Sequence, residues 1–172
     1  KLGGGFMLKP TIAVVGRPNV GKSTLFNKLV GKRIAIIEDT PGVTRDRIYS
    51  DCEWRTKEFV LVDTGGIEPY STDPILIQMK RQVEVAIQTS DAIIFVVNLQ
   101  DGLTATDEEV AVMLRKSGKP IVLCVNKCDT VGGIPSGLYE FYSLAMGEPI
   151  GVSSVHGHGT GDLLDETFKY LN

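Results

Sequence analysis

The sequence predicts a three-layer α/β domain built on a mostly parallel sheet, and three observations carry that expectation. Four short apolar runs rich in β-branched residues, at 11–15, 59–62, 92–97 and 121–125, read as strands buried on both faces. Each is followed by a helical pattern, as parallel strands require. The distinctive polar sequence falls at the carboxyl ends of these runs, where ligands sit in such sheets.

The elements follow in order. The opening KLGGGFM reads as a vector-derived tail over residues 1–6 ahead of a native start at Met7, which leaves 7–172 as a single domain. With 172 residues, 42% of them hydrophobic, the chain can bury one substantial core. The first strand runs into a glycine-bracketed loop and then a helix over Lys22–Val30. Residues 47–54 alternate and adjoin the next strand through a short polar turn, which predicts an antiparallel hairpin. Asp73 and Pro74 can start a helix with Leu76, Met79, Val83 and Ala86 on its buried face. Thr106 and Glu109 form the pattern of a capping box before Val110 and Leu114, and Gly118 with Pro120 stops that helix. The last helix, over 162–171, turns Leu163, Leu164, Thr167, Phe168 and Leu171 inward.

Composition excludes several classes. Eighteen Lys and Arg against 21 Asp and Glu give a net charge of -3, without the basic excess of an autonomous nucleic-acid binder. No apolar run approaches the roughly 18 residues of a membrane span. An odd set of cysteines, Cys52, Cys124 and Cys128, points to a reduced compartment rather than a disulfide framework, and the chain reads as cytoplasmic.

The run GRPNVGKST, residues 16–24, carries the chemistry at the first strand end. Its G-x-x-x-x-G-K-S pattern lies between a strand and a helix, the context of a phosphate-binding loop. Backbone N–H groups of Gly16, Arg17, Pro18, Asn19, Val20, Gly21, Lys22, Ser23 and Thr24, proline excepted, line the stretch that would wrap phosphates at the positive helix end. Lys22 would reach the outer oxygens and the Ser23 hydroxyl would ligate Mg²⁺. The loop by itself does not separate ATP from GTP.

Two further strand ends complete the constellation. Asp63 opens DTGG, with Thr64, Gly65 and Gly66; its carboxylate can hold Mg²⁺ through water, and the Gly66 N–H can meet a terminal phosphate. Asn126, Lys127 and Asp129 lie in NKCD. Asp129 would accept hydrogen bonds from the guanine N1–H and exocyclic amine, which adenine does not offer, so the wrong base leaves a carboxylate unpaired. Asn126 would tie the base edge to the phosphate loop and the Lys127 stem would cover the ring. Ser153 and Ser154 precede a glycine-rich turn and fit a third contact, the Ser154 N–H meeting the guanine carbonyl oxygen. His156 and His158 lack a third ligand and read as solvated; Cys128 reads as a small side chain with no activating neighbour.

Taken together, GRPNVGKS, DTPGVTRDR, DTGG and NKCD resemble the translation-factor-like (Era-like) P-loop GTPases, and the run from residue 16 to 49 is similar to the first G domain of the Der (EngA) family. The resemblance covers nearly everything from Met7 onward. It implies a G domain with a six-stranded, mostly parallel sheet and one antiparallel edge strand. It implies GTP and GDP as ligands, slow hydrolysis to GDP, and a switch role in assembly of the large ribosomal subunit by a full-length protein of which this chain is about one third. This fragment alone is expected to bind ribosomal RNA weakly. Thr44 is implied as the switch threonine that closes on Mg²⁺ and the terminal phosphate, and 32–47 and 65–74 as the moving switches. Asn98 and Ser154 depart from the family's usual aspartate and alanine. A GTP-sensing interaction module with negligible hydrolysis is the alternative reading; NKCD argues against a P-loop kinase.

One position needs a substitute. Many GTPases place a glutamine after D-x-x-G to orient the attacking water, and here Ile67 stands there. The resemblance supports K⁺ held in part by the Asn19 side-chain oxygen as the missing positive charge; a role in the loop alone, through hydrogen bonds to its own backbone, is the competing account of Asn19.

Overall fold

A computed structural model describes residues 9–31, 36–37, 48–66, 71–128 and 136–171. Thr44, Ile67 and Asp129 lie outside the described residues, and with them most of the first expected switch and residues 67–70 of the second.

The strands are β1 (Thr11–Gly16), β2 (Ile36–Ile37), β3 (Ile48–Trp54), β4 (Lys57–Asp63), β5 (Ala92–Asn98), β6 (Ile121–Asn126) and β7 (Ile150–Gly151). The α-helices among the described residues are α1 (Lys22–Val30), α2 (Ile75–Thr89), α3 (Ala105–Lys116) and, after the last strand, α4 (Thr160–Phe168). Among the described residues they form one sheet in the order β2-β3-β4-β1-β5-β6-β7. The α/β class is as expected, with β3 the strand running against its neighbours. The two-residue strands β2 and β7 were too short to show a period, and β2 lies outside β3, so the antiparallel strand is one in from the edge.

The alternation of β1 sorts the core into two layers. Ile12 and Val14 face Leu25, Phe26 and Leu29 of α1 and Leu163, Leu164 and Phe168 of α4. Ala13 and Val15 face Met79, Val83 and Ala86 of α2 and Val110, Ala111 and Leu114 of α3. Each large side chain so covered is worth about 1.5–3 kcal/mol of transfer free energy. Both faces are occupied, which is why these strands read as continuous apolar runs rather than as alternating ones.

The hairpin between β3 and β4 turns through Arg55 and Thr56, both left-handed at φ 50° and 67°, the geometry whose twist matches the flanking strands. Trp54 Nε1 donates to Asp165 Oδ1 at 2.8 Å and pins this end of the sheet to α4.

Three helix expectations need correction. The capping box of α3 is Thr104 with Asp107, not Thr106 with Glu109: the Thr104 hydroxyl accepts from the Asp107 N–H at 3.1 Å and the helix already runs at Ala105. Asp73 does not cap α2; its carboxylate accepts from Arg81 Nη1 at 2.7 Å, and Pro74 precedes the first turn without a side-chain cap. Leu76 is 38% exposed instead of buried, and the polar Gln82 takes a buried place on that helix. No helix among the described residues is long and apolar enough to cross a membrane.

Candidate nucleotide site

The carboxyl ends of β1, β4 and β6 place the expected side chains together. Each strand is one residue longer than its apolar run at this end, so that Gly16, Asp63 and Asn126 are themselves the last strand residues. The sheet therefore fixes the backbone of all three motifs.

At the phosphate end, Lys22 is 8% exposed, and its Nζ lies 3.6 Å from Asp63 Oδ1 and 3.2 Å from Gln82 Oε1. Burial pushes its ammonium below the usual lysine range, with the Asp63 carboxylate opposing. Asp63 is held in turn by the Gly65 N–H, which donates to Oδ1 at 2.9 Å. A Cβ on Gly65 would come 1.9 Å from Lys22 Nζ, so glycine is required for the lysine to lie here. Thr64, fully buried, donates from Oγ1 to the Val14 carbonyl at 2.7 Å and thus anchors the β4 end to β1 rather than facing a ligand. Ser23 and Thr24 are exposed at the start of α1.

The base end is tied to the loop by one fully buried amide. Asn126 Nδ2 donates to the Val20 carbonyl at 2.9 Å, and its Oδ1 accepts from the Ser154 N–H at 3.0 Å. The expected link between NKCD and the phosphate loop is thus direct. The Ser154 N–H, expected to face the guanine carbonyl oxygen, is here donated to Asn126, so a base oxygen would share it. Ser153 is buried and pairs with His158 backbone to backbone, at 2.9 and 3.0 Å, which closes the turn carrying both histidines. Lys127, left-handed at φ 66°, sends Nζ back to the Asn19 carbonyl at 3.1 Å.

Between these groups lies a cavity of about 330 Å³ lined by Asn19, Gly21, Thr24, Asn126, Lys127, Ser154 and Val155. Gly21 has φ 87°, and a Cβ on it would fall 2.2 Å from Asn126 Nδ2. Asn19 is also left-handed, at φ 71°. The cradle fits a nucleotide because one cavity is lined by residues of both the phosphate loop and the base loop. The donor set fits Mg²⁺ too: a hydroxyl and a carboxylate are the hard oxygen ligands that ion takes, and it needs few from protein.

Residues 11–127 match the family described as 50S ribosome-binding GTPase. The chain belongs to that family. This GTPase domain is 65% identical over 165 residues to GTPase Der of Acetivibrio thermocellus, covering 96% of this chain and 38% of the relative. It is 68% identical over 165 residues to GTPase Der of Ruminiclostridium cellulolyticum, covering 96% and 37%. The chain thus spans little more than a third of the length of these curated relatives. Among solved structures, an Era variant of Aquifex aeolicus bound to GDP and AlF₄⁻ superposes with a TM-score of 0.74 at 26% identity, over 96% of this chain and 58% of that one. Era in complex with MgGDPNP and a segment of 16S ribosomal RNA gives 0.72 at 26% identity, over 97% and 58%.

Two features of the GTPase domain's site were not legible beforehand. The Arg17 guanidinium is committed to the start of α3 and the turn before it, with Nε 2.8 Å from Asp107 Oδ1 and Nη2 3.3 Å from Asp101 Oδ2, so only its backbone remains for phosphate. Gln82, from the middle of α2, reaches the phosphate loop; its only sequence signal was a polar residue beside the apolar face of that helix. Cys128 is half-buried, its thiol donating to the Val125 carbonyl at 3.3 Å, which agrees with a packing role.

Proposed function

We propose that this domain binds GTP with Mg²⁺ and hydrolyses it slowly to GDP and phosphate, and that in a longer cytoplasmic protein it acts as a switch in assembly of the large ribosomal subunit. The observation that carries the reading is Asn126, one buried amide joining the base loop to the loop that would hold the phosphates. A nucleotide sensed at both ends by one rigid unit is what such a switch requires.

The residues divide the work. Lys22 stabilises negative charge on the transferring phosphoryl group, and the Gly66 N–H orients its terminal oxygens. Ser23, Asp63 and Thr44 hold Mg²⁺, which when bound neutralises charge shared between the outer phosphates. Asp129, two residues after Lys127 in the sequence, selects the base. GDP is accordingly expected to bind at least about tenfold more tightly than ADP, since the wrong base leaves a carboxylate unpaired; Asp129→Asn is expected to shift preference toward xanthine nucleotides. Competition for a fluorescent GDP analogue reads both, and equal affinities for GDP and ADP would refute the base assignment.

With Ile67 after D-x-x-G, the charge usually brought by an arginine is supplied instead by K⁺ at Asn19. Such a charge is worth ~10³ to 10⁵ in rate, about 4 to 7 kcal/mol. Support comes from the loop: the left-handed Asn19 lines the cavity, its backbone carbonyl is taken by Lys127, and among the described residues its side-chain amide makes no hydrogen bond. A role confined to bracing the loop would use that amide. GTP turnover is expected to be faster in K⁺ than in Na⁺ at equal ionic strength, by about tenfold or more, with Asn19→Ala abolishing the difference while GDP affinity stays nearly intact. Identical rates in both salts would point instead to an arginine from a partner.

The net charge of -3 supports weak binding of ribosomal RNA by this fragment alone at physiological salt, with the rest of the longer protein supplying the main contacts.

A further inference from the structure

Three polar groups converge on one buried oxygen. Gln82 is 7% exposed, and its Oε1 lies 3.1 Å from the Gly16 backbone nitrogen, 3.2 Å from Lys22 Nζ and 3.0 Å from Thr64 Oγ1. The threonine proton is directed to the closer Val14 carbonyl, which leaves the Gly16 N–H and the Lys22 ammonium as the working donors. Gly16 opens the phosphate loop, Lys22 closes it, and Gln82 stands on α2, two turns into the helix that begins at Ile75. One side chain therefore touches both ends of the loop from the element downstream of the second switch.

We infer that Gln82 is a positioning residue that couples α2 to the phosphate loop by holding the Lys22 ammonium beside Asp63 until a terminal phosphate takes it. The inference rests on the GTP reading above. The amide suits the task because it is neutral. It accepts from Lys22 as strongly as a charge-assisted bond allows, yet adds no anion near the phosphates. A carboxylate in its place would hold the lysine in an ion pair and repel the terminal phosphate. An apolar side chain of the same length would release the lysine and leave the Gly16 N–H, buried under Gln82, without its acceptor. Because Lys22 meets the outer phosphates, either change acts more on GTP than on GDP.

The test is the ratio of affinities for a non-hydrolysable GTP analogue and for GDP, measured with Mg²⁺ on the unmodified domain, Gln82→Glu and Gln82→Met, with thermal unfolding of each free protein in parallel. Gln82→Glu is expected to lower the analogue-to-GDP ratio at least about tenfold. Gln82→Met is expected to move it by about threefold or more in the opposite direction, since the lysine is no longer held back. A purely structural glutamine would lower the melting temperature and weaken both nucleotides alike, leaving the ratio unchanged in both variants; that result overturns the inference while the GTP reading survives. Failure of the unmodified domain to bind either guanine nucleotide overturns both.

Discussion

Asn126→Ala is expected to be the most destabilising single substitution at this site. Asn126 is fully buried, and truncation leaves the Val20 carbonyl and the Ser154 N–H without partners in the interior. Each orphaned buried group costs about 1–3 kcal/mol, so the loss is about 2–6 kcal/mol. That is a large share of the roughly 5–15 kcal/mol available to a typical domain. The same change unties the base loop from the phosphate loop, so guanine-nucleotide affinity is expected to fall together with stability. Urea unfolding monitored by Trp54 fluorescence gives the first quantity and GDP titration the second. A variant that keeps its unfolding midpoint would show that the two loops are held by something other than this amide.

Gly65→Ala is expected to separate function from folding. The added methyl carbon would stand 1.9 Å from Lys22 Nζ, 2.6 Å from its Cε and 3.2 Å from Asp63 Oδ1. The tip of the lysine must therefore give way, and its chain is flexible enough to do so without moving the backbone. The domain is expected to remain folded, because Lys22 contributes little to either apolar layer. GTP hydrolysis is expected to fall by about 10²- to 10³-fold, the scale on which one preorganised donor at the reacting group is felt. Single-turnover hydrolysis beside a thermal melt distinguishes the two. Wild-type turnover in a folded Gly65→Ala protein would mean that Lys22 works from a place this methyl does not reach.

These two residues also show how sequence and structure shared the information. Asn126 and Gly65 were both named by their motifs, since a strand end followed by NKCD or opening DTGG is a local pattern with a local mechanism. NKCD pointed Asn126 toward the phosphate loop without naming Val20 or Ser154, and DTGG did not say what Gly65 lies against. That Asn126 spans from Val20 to Ser154 depends on β1, β6 and the loop after β7 meeting at one edge, a contact across more than a hundred residues of chain.

The sequence by itself determined the α/β class, the four central strands, the inward face of α4 and the placement of the G-x-x-x-x-G-K-S, DTGG and NKCD motifs at strand ends. Each is encoded by periodicity or by spacing within a few residues, and burial on both sides of a parallel sheet makes the strands unmistakable. Tertiary structure decided the rest. A capping box at Thr104 could not be told from one at Thr106 by pattern, because the helix start depends on Asp107 being fully buried and bound by Arg17 from another loop. Gln82 looked like one more polar residue on an amphipathic helix, and only the packing of α2 against β1 brought its oxygen to Gly16 and Lys22. Short strands such as Ile36–Ile37 and Ile150–Gly151 exist because an adjacent strand offers them a ladder, and two residues carry no period of their own.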